Sequence, residues 1–208
     1  IVYAAAVALR QRDLKFVIGY SSVSHMGFVL LGLAAANSLG GSGAVLQMFS
    51  HGIIGALLFA VAGTMIYQRT HTRDLNALAR MNLGRSLPFA AFTFIIASAA
   101  SMGIPGFSGF AAEITILLGA AKVYPLAVWV TAVGMVLVAA FTLRALRRAF
   151  FEGPNSAPAP TPAPFDPISL PEKLGAGLLM ITTLAAGIYP KILFDRITPA
   201  IEAMRFLH

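Results

Sequence analysis

The sequence predicts an all-α protein that crosses a membrane several times, and its composition supports this prediction. Of 208 residues only 15 are basic and 8 are acidic, while 58% are hydrophobic. Globular domains in water carry roughly 25% charged residues, so a charged fraction of 11% argues against a soluble enzyme and against a disordered tail. Cysteine is absent, which excludes a disulfide scaffold. The net charge of +7 includes no run of five basic residues, so we expect no nucleic-acid partner.

Two membrane crossings are predicted in the first third of the chain. Residues 16–68 contain no Lys, Arg, Asp or Glu, and a helix needs about 20 residues to cross roughly 30 Å of hydrocarbon. A segment rich in Gly, Ser and Asn at 36–43 predicts the turn between the two crossings. The crossings are therefore predicted at 16–36 and 44–67. The preceding residues, 1–9, are interpreted as the end of a truncated transmembrane helix.

A third crossing is predicted at 87–121, and it is broken in its middle. The residues that interrupt it are Gly103, Pro105, Gly106 and Gly109. The flanks, 87–100 and 110–121, are each shorter than the roughly 17 residues that a crossing needs, so one broken crossing is favoured over two short ones. Charge asymmetry does not separate the two alternatives. Broken helices are tolerated only where the freed backbone is buried in protein or lines a polar cavity, and they recur in ion-coupled transporters.

Further crossings are predicted at 123–150 and 174–190, so that the helices of 10–151 are followed by one final helix. The loop between them, 152–173, contains seven prolines and is expected to be extended. Eleven basic residues then lie on one side of the membrane and four on the other, and the positive-inside rule places the larger group in the cytoplasm. The tail, 191–208, is predicted to be amphipathic and to lie on the periplasmic membrane surface.

Three titratable side chains fall at a similar depth in three consecutive crossings: His25, His51 and Glu113. Ser21 and Gln47 each lie one helical turn before a histidine and share its face. A lone intramembrane histidine is as readily a helix–helix hydrogen-bonding residue, whereas a carboxylate in hydrocarbon is costly and indicates function. Because imidazole exchanges protons near neutral pH, the three groups together predict a lateral proton relay.

No metal or cofactor site is predicted in this chain. Iron–sulfur clusters and thiolate zinc sites need cysteine, which the sequence lacks. At the entry to the first crossing, Asp13 is predicted to cap the helix that starts near Phe16. Lys15, at the same entry, is interpreted as a supporting residue of the relay.

Long motifs resemble the antiporter-like membrane subunits of respiratory complex I. The resemblance lies in the segments 13–15, 19–28, 47–52, 71–74 and 99–113 and extends to about residue 189. Glu113 favours the chain-4, or M-type, subunit, because chain-2 and chain-5 relatives usually carry Lys at its position. The resemblance implies an antiporter-like fold of two inverted repeats, of which this chain matches the second repeat and the final helix. It also implies that His25 and His51 lie on a central hydrophilic axis and that Glu113 lies near its outlet.

The leading hypothesis is a proton-translocating, non-redox subunit of a NADH:quinone oxidoreductase. By the same resemblance NADH, FMN, iron–sulfur clusters and quinone belong to partner subunits. The expected partners are other antiporter-like and small membrane subunits of complex I and the lipid bilayer, in an energy-transducing membrane such as the bacterial inner (plasma) membrane. Two alternatives remain. The chain could belong to a multi-component cation/proton antiporter or a membrane-bound hydrogenase, or it could be a non-conducting membrane scaffold.

Overall fold

The computed structural model describes residues 1–153 and 165–204, and the regular structure in these ranges is helical, without a β-strand. The helices are α1 (Val2–Arg10), α2 (Leu14–Ala34), α3 (Ser38–Thr70), α4 (Leu75–Leu78), α5 (Leu83–Ser86), α6 (Pro88–Ser101), α7 (Ser108–Ala121), α8 (Pro125–Phe151), α9 (Leu170–Ile188) and α10 (Lys191–Glu202). Near their C-terminal ends α3 and α8 become π-helical, over Val61–Tyr67 and Arg147–Phe151. The predicted all-α class is confirmed.

Three of these helices, α2, α3 and α8, are long and apolar enough to cross a membrane. The pair α9 and α10 also qualifies when taken together, although the two helices meet at 70°. Helices α6 and α7 are apolar but contain only 14 residues each. The architecture is therefore that of a polytopic membrane protein with one interrupted helix.

The two halves of the interrupted helix, α6 and α7, lie at different depths of the bundle. Phe94 of α6 packs on Phe150 of α8, with ring centroids 5.4 Å apart, near one end of the molecule. Ser108, the first residue of α7, touches Ser50 in the middle of α3. Gly119 of α7 lies against the first turn of α3 at the opposite end. The two halves therefore follow each other along the bundle, and the single broken crossing remains a prediction.

The turn between the first two crossings is shorter than the sequence predicts. Helix α3 begins at Ser38, not at residue 44, and Asn37 caps it by accepting a hydrogen bond from Gly40 N at 2.8 Å. The glycines of segment 40–43 are helical because they allow close packing between helices. A Cβ on Gly43 would lie 2.8 Å from the backbone nitrogen of Ile116 in α7. The prediction of a Gly-rich loop over 36–43 is wrong for this reason.

The final helix also begins earlier than predicted, at Leu170 and not at residue 174. Ser169 and Glu172 form a capping box, and Pro171 occupies the first turn, where a missing N–H costs nothing. The last residues of the predicted proline-rich loop, 152–173, therefore belong to α9. Its central part, 154–164, lies outside the described residues.

The predicted amphipathic tail forms α10, whose described helix ends at Glu202. Its apolar side chains pack on protein: Leu193, Phe194 and Ile197 contact a cluster of Leu46, Ala111 and Ala112. Helix α10 thus lies against the first turns of α3, where Ser42 donates a hydrogen bond to Thr198, and against the first turn of α7. Residues 205–208 lie outside the described part.

One end of the bundle carries most of the basic side chains, and we call it the basic end. Its arginines include Arg10, Arg12, Arg69, Arg73, Arg144 and Arg148. Asp13 caps α2 there as predicted, accepting a hydrogen bond from Lys15 N at 2.8 Å. Its carboxylate also lies 3.4 Å from Arg73.

Candidate functional site

His25, His51 and Glu113 lie together in the interior of the bundle. The imidazole rings of His25 and His51 are stacked, with centroids 5.3 Å apart and planes inclined by 28°. Nε2 of His25 lies 3.9 Å from Oε1 of Glu113. His25 is therefore the central member of the cluster, and it faces one titratable residue on α3 and one on α7.

The break between α6 and α7 supplies one of the groups that hold His25. Ser101 is the last residue of α6, and the residue four positions later, Pro105, has no N–H to donate to its carbonyl oxygen. His25 Nε2 lies 3.0 Å from this freed oxygen. The proline at the break thus makes a backbone acceptor available to an imidazole on another helix.

The other ring nitrogen of His25 also faces a carbonyl. Nδ1 lies 2.7 Å from the carbonyl oxygen of Ser21, one turn earlier in α2. Carbonyl oxygens only accept, and a neutral imidazole carries a single N–H. Both contacts are therefore hydrogen bonds only when His25 is protonated on both nitrogens. A neutral His25 donates to only one of the two carbonyl oxygens at a time, and the tautomer decides which one.

The glycines of the break bring its backbone close to Glu113. Gly103 has a φ of +68°, and a Cβ at this position would collide with Oε2 of Glu113. Gly106 has a φ of +100°. Gly109 packs against the carbonyl oxygen of Ala100. Position 103 therefore requires glycine for two reasons: the backbone has a positive φ, and the Glu113 carboxylate occupies the space that a Cβ would need.

Glu113 is buried, with only 3% of its surface exposed. In residues 1–153 and 165–204 no Lys or Arg lies within ion-pair distance of it, and His25 is its one ionisable neighbour within 4.0 Å. No group of three His, Cys, Asp or Glu side chains in these ranges is arranged to hold a metal ion. A carboxylate in this setting has no permanent positive charge to balance it, which favours proton uptake.

Of the three predicted supporting residues, Ser21 and Gln47 are buried in the bundle, whereas Lys15 is exposed. Ser21 contributes its carbonyl to His25, while its hydroxyl donates to Ile18 O at 2.9 Å. Gln47 is buried, and its Oε1 accepts no hydrogen bond from any described residue. Lys15 does not contact the cluster. It is exposed in the first turn of α2, ten residues and about 15 Å of helix rise from His25.

Sequence reasoning missed a chain of buried hydroxyl groups beside the break. Ser108 Oγ lies 2.7 Å from Ser50 Oγ and 2.9 Å from Thr183 Oγ1, so α3, α7 and α9 are joined through it. Gly187 of α9 packs directly on the backbone of Phe107. The run of small residues at 185–187 is the one local sequence feature that could have predicted this contact. Single Ser and Thr residues are common in apolar helices and do not predict which helices they join.

Comparison with known proteins decides the family. The family described as NADH:quinone oxidoreductase/Mrp antiporter, transmembrane, matches residues 1–139. The chain belongs to this family. Among its curated relatives, the NAD(P)H-quinone oxidoreductase chain 4 1 of Synechococcus elongatus is 42% identical over 98% of this chain and 39% of the relative. The chloroplastic chain 4 of Glycine max is 41% identical over 98% of this chain and 41% of the relative.

The resemblance to chain 4 is thereby confirmed, and the chain spans about two fifths of the length of these relatives. Solved structures of the family support the fold. Respiratory complex I from Thermus thermophilus superimposes with a TM-score of 0.87 at 29% identity, over 99% of this chain and 42% of that chain. The Mrp complex from Dietzia sp. gives a TM-score of 0.81 at 20% identity, over 96% of this chain and 44% of that chain, which shows the fold alone. The antiporter-like fold and a place in an energy-transducing membrane are confirmed.

Proposed function

We propose that this chain conducts protons in the membrane part of a NADH:quinone oxidoreductase, through Glu113, His25 and His51. One observation carries the proposal. Glu113 is a buried carboxylate whose one ionisable neighbour in the described ranges is His25, and His25 stacks on a second imidazole. Three groups that exchange protons are thus adjacent, at the point where a membrane helix is broken.

Proton transfer between His25 and Glu113 needs a small movement or a water molecule. The separation of 3.9 Å is longer than a hydrogen bond of about 3.2 Å, so a bridging water or a rotation of the carboxylate completes the path. Oε1 of Gln47, one helical turn before His51, is a buried acceptor without a partner among the described residues.

Loss of a proton from His25 has a structural consequence. One of its two contacts, to Ser21 O or to Ser101 O, then has no N–H between nitrogen and oxygen. Two facing acceptors repel each other, so the ring or the end of α6 shifts. The protonation state of His25 is in this way coupled to the position of the broken helix.

The complete pump extends beyond this chain, which spans about two fifths of its relatives. We assign NADH, FMN, iron–sulfur clusters and quinone to partner subunits, and a non-redox role to this chain. The assignment is supported by the names of the relatives and by the solved complex I with bound NADH. Other antiporter-like and small membrane subunits are the proposed partners, and the bacterial inner membrane remains the proposed location.

The family description also includes the Mrp antiporter, and a membrane-bound sulfane sulfur reductase superimposes with a TM-score of 0.79 at 25% identity. The oxidoreductase is favoured because chain-4 relatives are about 40% identical, whereas the Mrp match is 20% identical. Co-purification distinguishes these alternatives. Flavin and iron–sulfur subunits that co-purify with the chain support the oxidoreductase, and their absence supports the antiporter.

Glu113→Gln in the assembled complex tests the proposal. The substitution keeps size and polarity but cannot carry a proton, so we expect the proton-to-electron ratio measured in inverted membrane vesicles to fall. A matched control is Asp195→Asn, which removes an exposed carboxylate on α10 and should leave the ratio unchanged. A wild-type ratio in the Glu113→Gln complex would show that the chain is a non-conducting scaffold at this position.

A further inference from the structure

A cavity of about 520 Å³ opens at the basic end of the molecule, away from the proton site. It is lined by Leu9, Arg10, Arg12, Asn76, Arg144 and Arg148. These residues come from the end of α1, the segment before α2, the short helix α4 and the end of α8. Four guanidinium groups therefore share one cavity that includes no acidic lining residue.

Two of the four arginines are held by the protein. Arg144 donates a hydrogen bond to the carbonyl oxygen of Leu9. Arg148 donates to Asn76 Oδ1 at 2.8 Å and lies 3.7 Å from Glu152. Their guanidinium groups are consequently fixed at the wall of the cavity.

The other two arginines, Arg10 and Arg12, are exposed, and their side chains make no hydrogen bond or ion pair with any described residue. Among the described residues, Glu152 is the one carboxylate within 4.0 Å of any of these four arginines, and Arg147 also contacts it. Like charges gathered at one cavity repel one another unless an anion lies between them.

We propose that this arginine pocket binds a phosphate group, and that its source is the headgroup of an anionic phospholipid. The planar guanidinium fork matches phosphate oxygens in two parallel hydrogen bonds. Arg10 ends α1 and Arg144 lies in the last turn of the regular part of α8, so the pocket lies where membrane helices end and headgroups begin. Basic pockets between membrane helices on the positively charged side bind anionic headgroups by this chemistry.

The test compares two double variants of the assembled complex, purified in detergent. Arg10→Gln with Arg12→Gln removes the two unpaired guanidiniums of the pocket. Arg80→Gln with Arg85→Gln is the matched control, because these arginines are also exposed and unpaired within the described ranges but do not line the cavity. Each complex is titrated with dioctanoyl phosphatidylglycerol, and the lipid bound to this subunit is counted by native mass spectrometry. In a parallel titration, inorganic phosphate replaces the lipid.

We expect the pocket variant to bind phosphatidylglycerol about 25-fold more weakly than wild type, about fivefold for each arginine near an anionic headgroup. The control should bind it as wild type does. A third outcome is that wild type binds inorganic phosphate but no lipid, and that the pocket variant does not bind phosphate. This outcome would support the phosphate pocket but contradict the lipid source. Equal binding of both probes to the pocket variant and the control would overturn the proposal.

Discussion

Two carboxylates of this chain, Glu113 and Glu172, lie in opposite electrostatic settings. Glu172 is at the basic end, where Arg69 binds its two oxygens at 3.1 and 2.8 Å and Ser169 donates two further hydrogen bonds. The hydrogen bonds from Arg69 lower the pKa of Glu172 from 4.5 to about 2. Glu113 is buried beside an imidazole, with no Arg or Lys in reach among the described residues.

The surroundings of Arg69 show what a structural ion pair looks like in this protein. Its side chain is 8% exposed, and it also donates to carbonyl oxygens of Thr64, in the π-helical turn of α3, and Asp166, before α9. The arginine thereby joins two segments that are about a hundred residues apart in sequence. A carboxylate held in this way keeps its charge and fixes the fold. A carboxylate without such a partner, like Glu113, is able to change its protonation state, which is the property that a relay needs.

The largest effect is expected from Arg69→Met, which removes the permanent partner of Glu172. An ion pair that loses one member leaves a desolvated charge, which costs about 3 kcal/mol. We expect a lower thermal midpoint and less assembled complex in the membrane. Arg73→Gln, which breaks the more exposed pair with Asp13, should cost less than about 1 kcal/mol. The complex that does assemble with Arg69→Met should keep its proton-to-electron ratio. A reduced ratio would show that the ion pair of Glu172 also takes part in proton translocation, against the structural role that we assign to it.

A smaller loss of stability, combined with a loss of pumping, is expected from Gly103→Ala. The positive φ costs an alanine about 1–2 kcal/mol, and its Cβ would displace the carboxylate of Glu113. Assembly should be reduced slightly and the proton-to-electron ratio clearly. Gly63→Ala is the control, because a Cβ there meets nothing within 4 Å. Wild-type pumping by the Gly103→Ala complex would show that the contact between the break and Glu113 is incidental.

The double variant Gly106→Ala with Gly109→Ala tests the break without entering the space of Glu113. Gly106 needs a positive φ, and Gly109 needs the close approach of Ala100 O. We expect the stiffened break to slow proton translocation about tenfold or less and to affect assembly less than pumping. The effect on pumping is measured as vesicle acidification per NADH oxidised, and the effect on assembly is measured as the amount of complex in the membrane.

The smallest effect is the pH dependence that Glu172 confers on stability. Because its pKa is lowered from 4.5 to about 2, its contribution is fully present above about pH 4.5 and is lost as the pH falls toward 2. The thermal midpoints of wild type and Glu172→Gln should therefore differ at pH 6 and approach each other as the pH falls from about 4.5 toward 2. A constant difference over this range would mean that Glu172 is not stabilised by its charge.

The positions of the three proposed relay residues were predictable from the sequence because depth in a membrane follows from counting residues. His25 lies ten residues from Lys15 and Glu113 nine residues from Lys122, while His51 follows the predicted turn by eight residues. The structure places the three side chains side by side. The broken helix was predictable for a similar reason, since glycine and proline interrupt a helix whatever surrounds it.

Features that depend on contacts between distant segments were not predictable. The segment 40–43 reads as a turn by composition, yet its glycines are helical because Ile116 packs against them. Arg69 and Glu172 are typical loop residues until the fold brings them together. The freed carbonyl of Ser101 follows from Pro105, but nothing in the local sequence indicates that His25 would take it.

The most direct test of the account is a double-mutant cycle on Glu113 and His25 in the assembled complex. Proton translocation per NADH oxidised is measured for Glu113→Gln, His25→Gln and the double variant. If the two residues carry the same proton in sequence, either substitution interrupts the path, and the double variant should pump no worse than the poorer single variant. Losses that multiply in the double variant, or a wild-type ratio in either single variant, would contradict a relay built from these two residues.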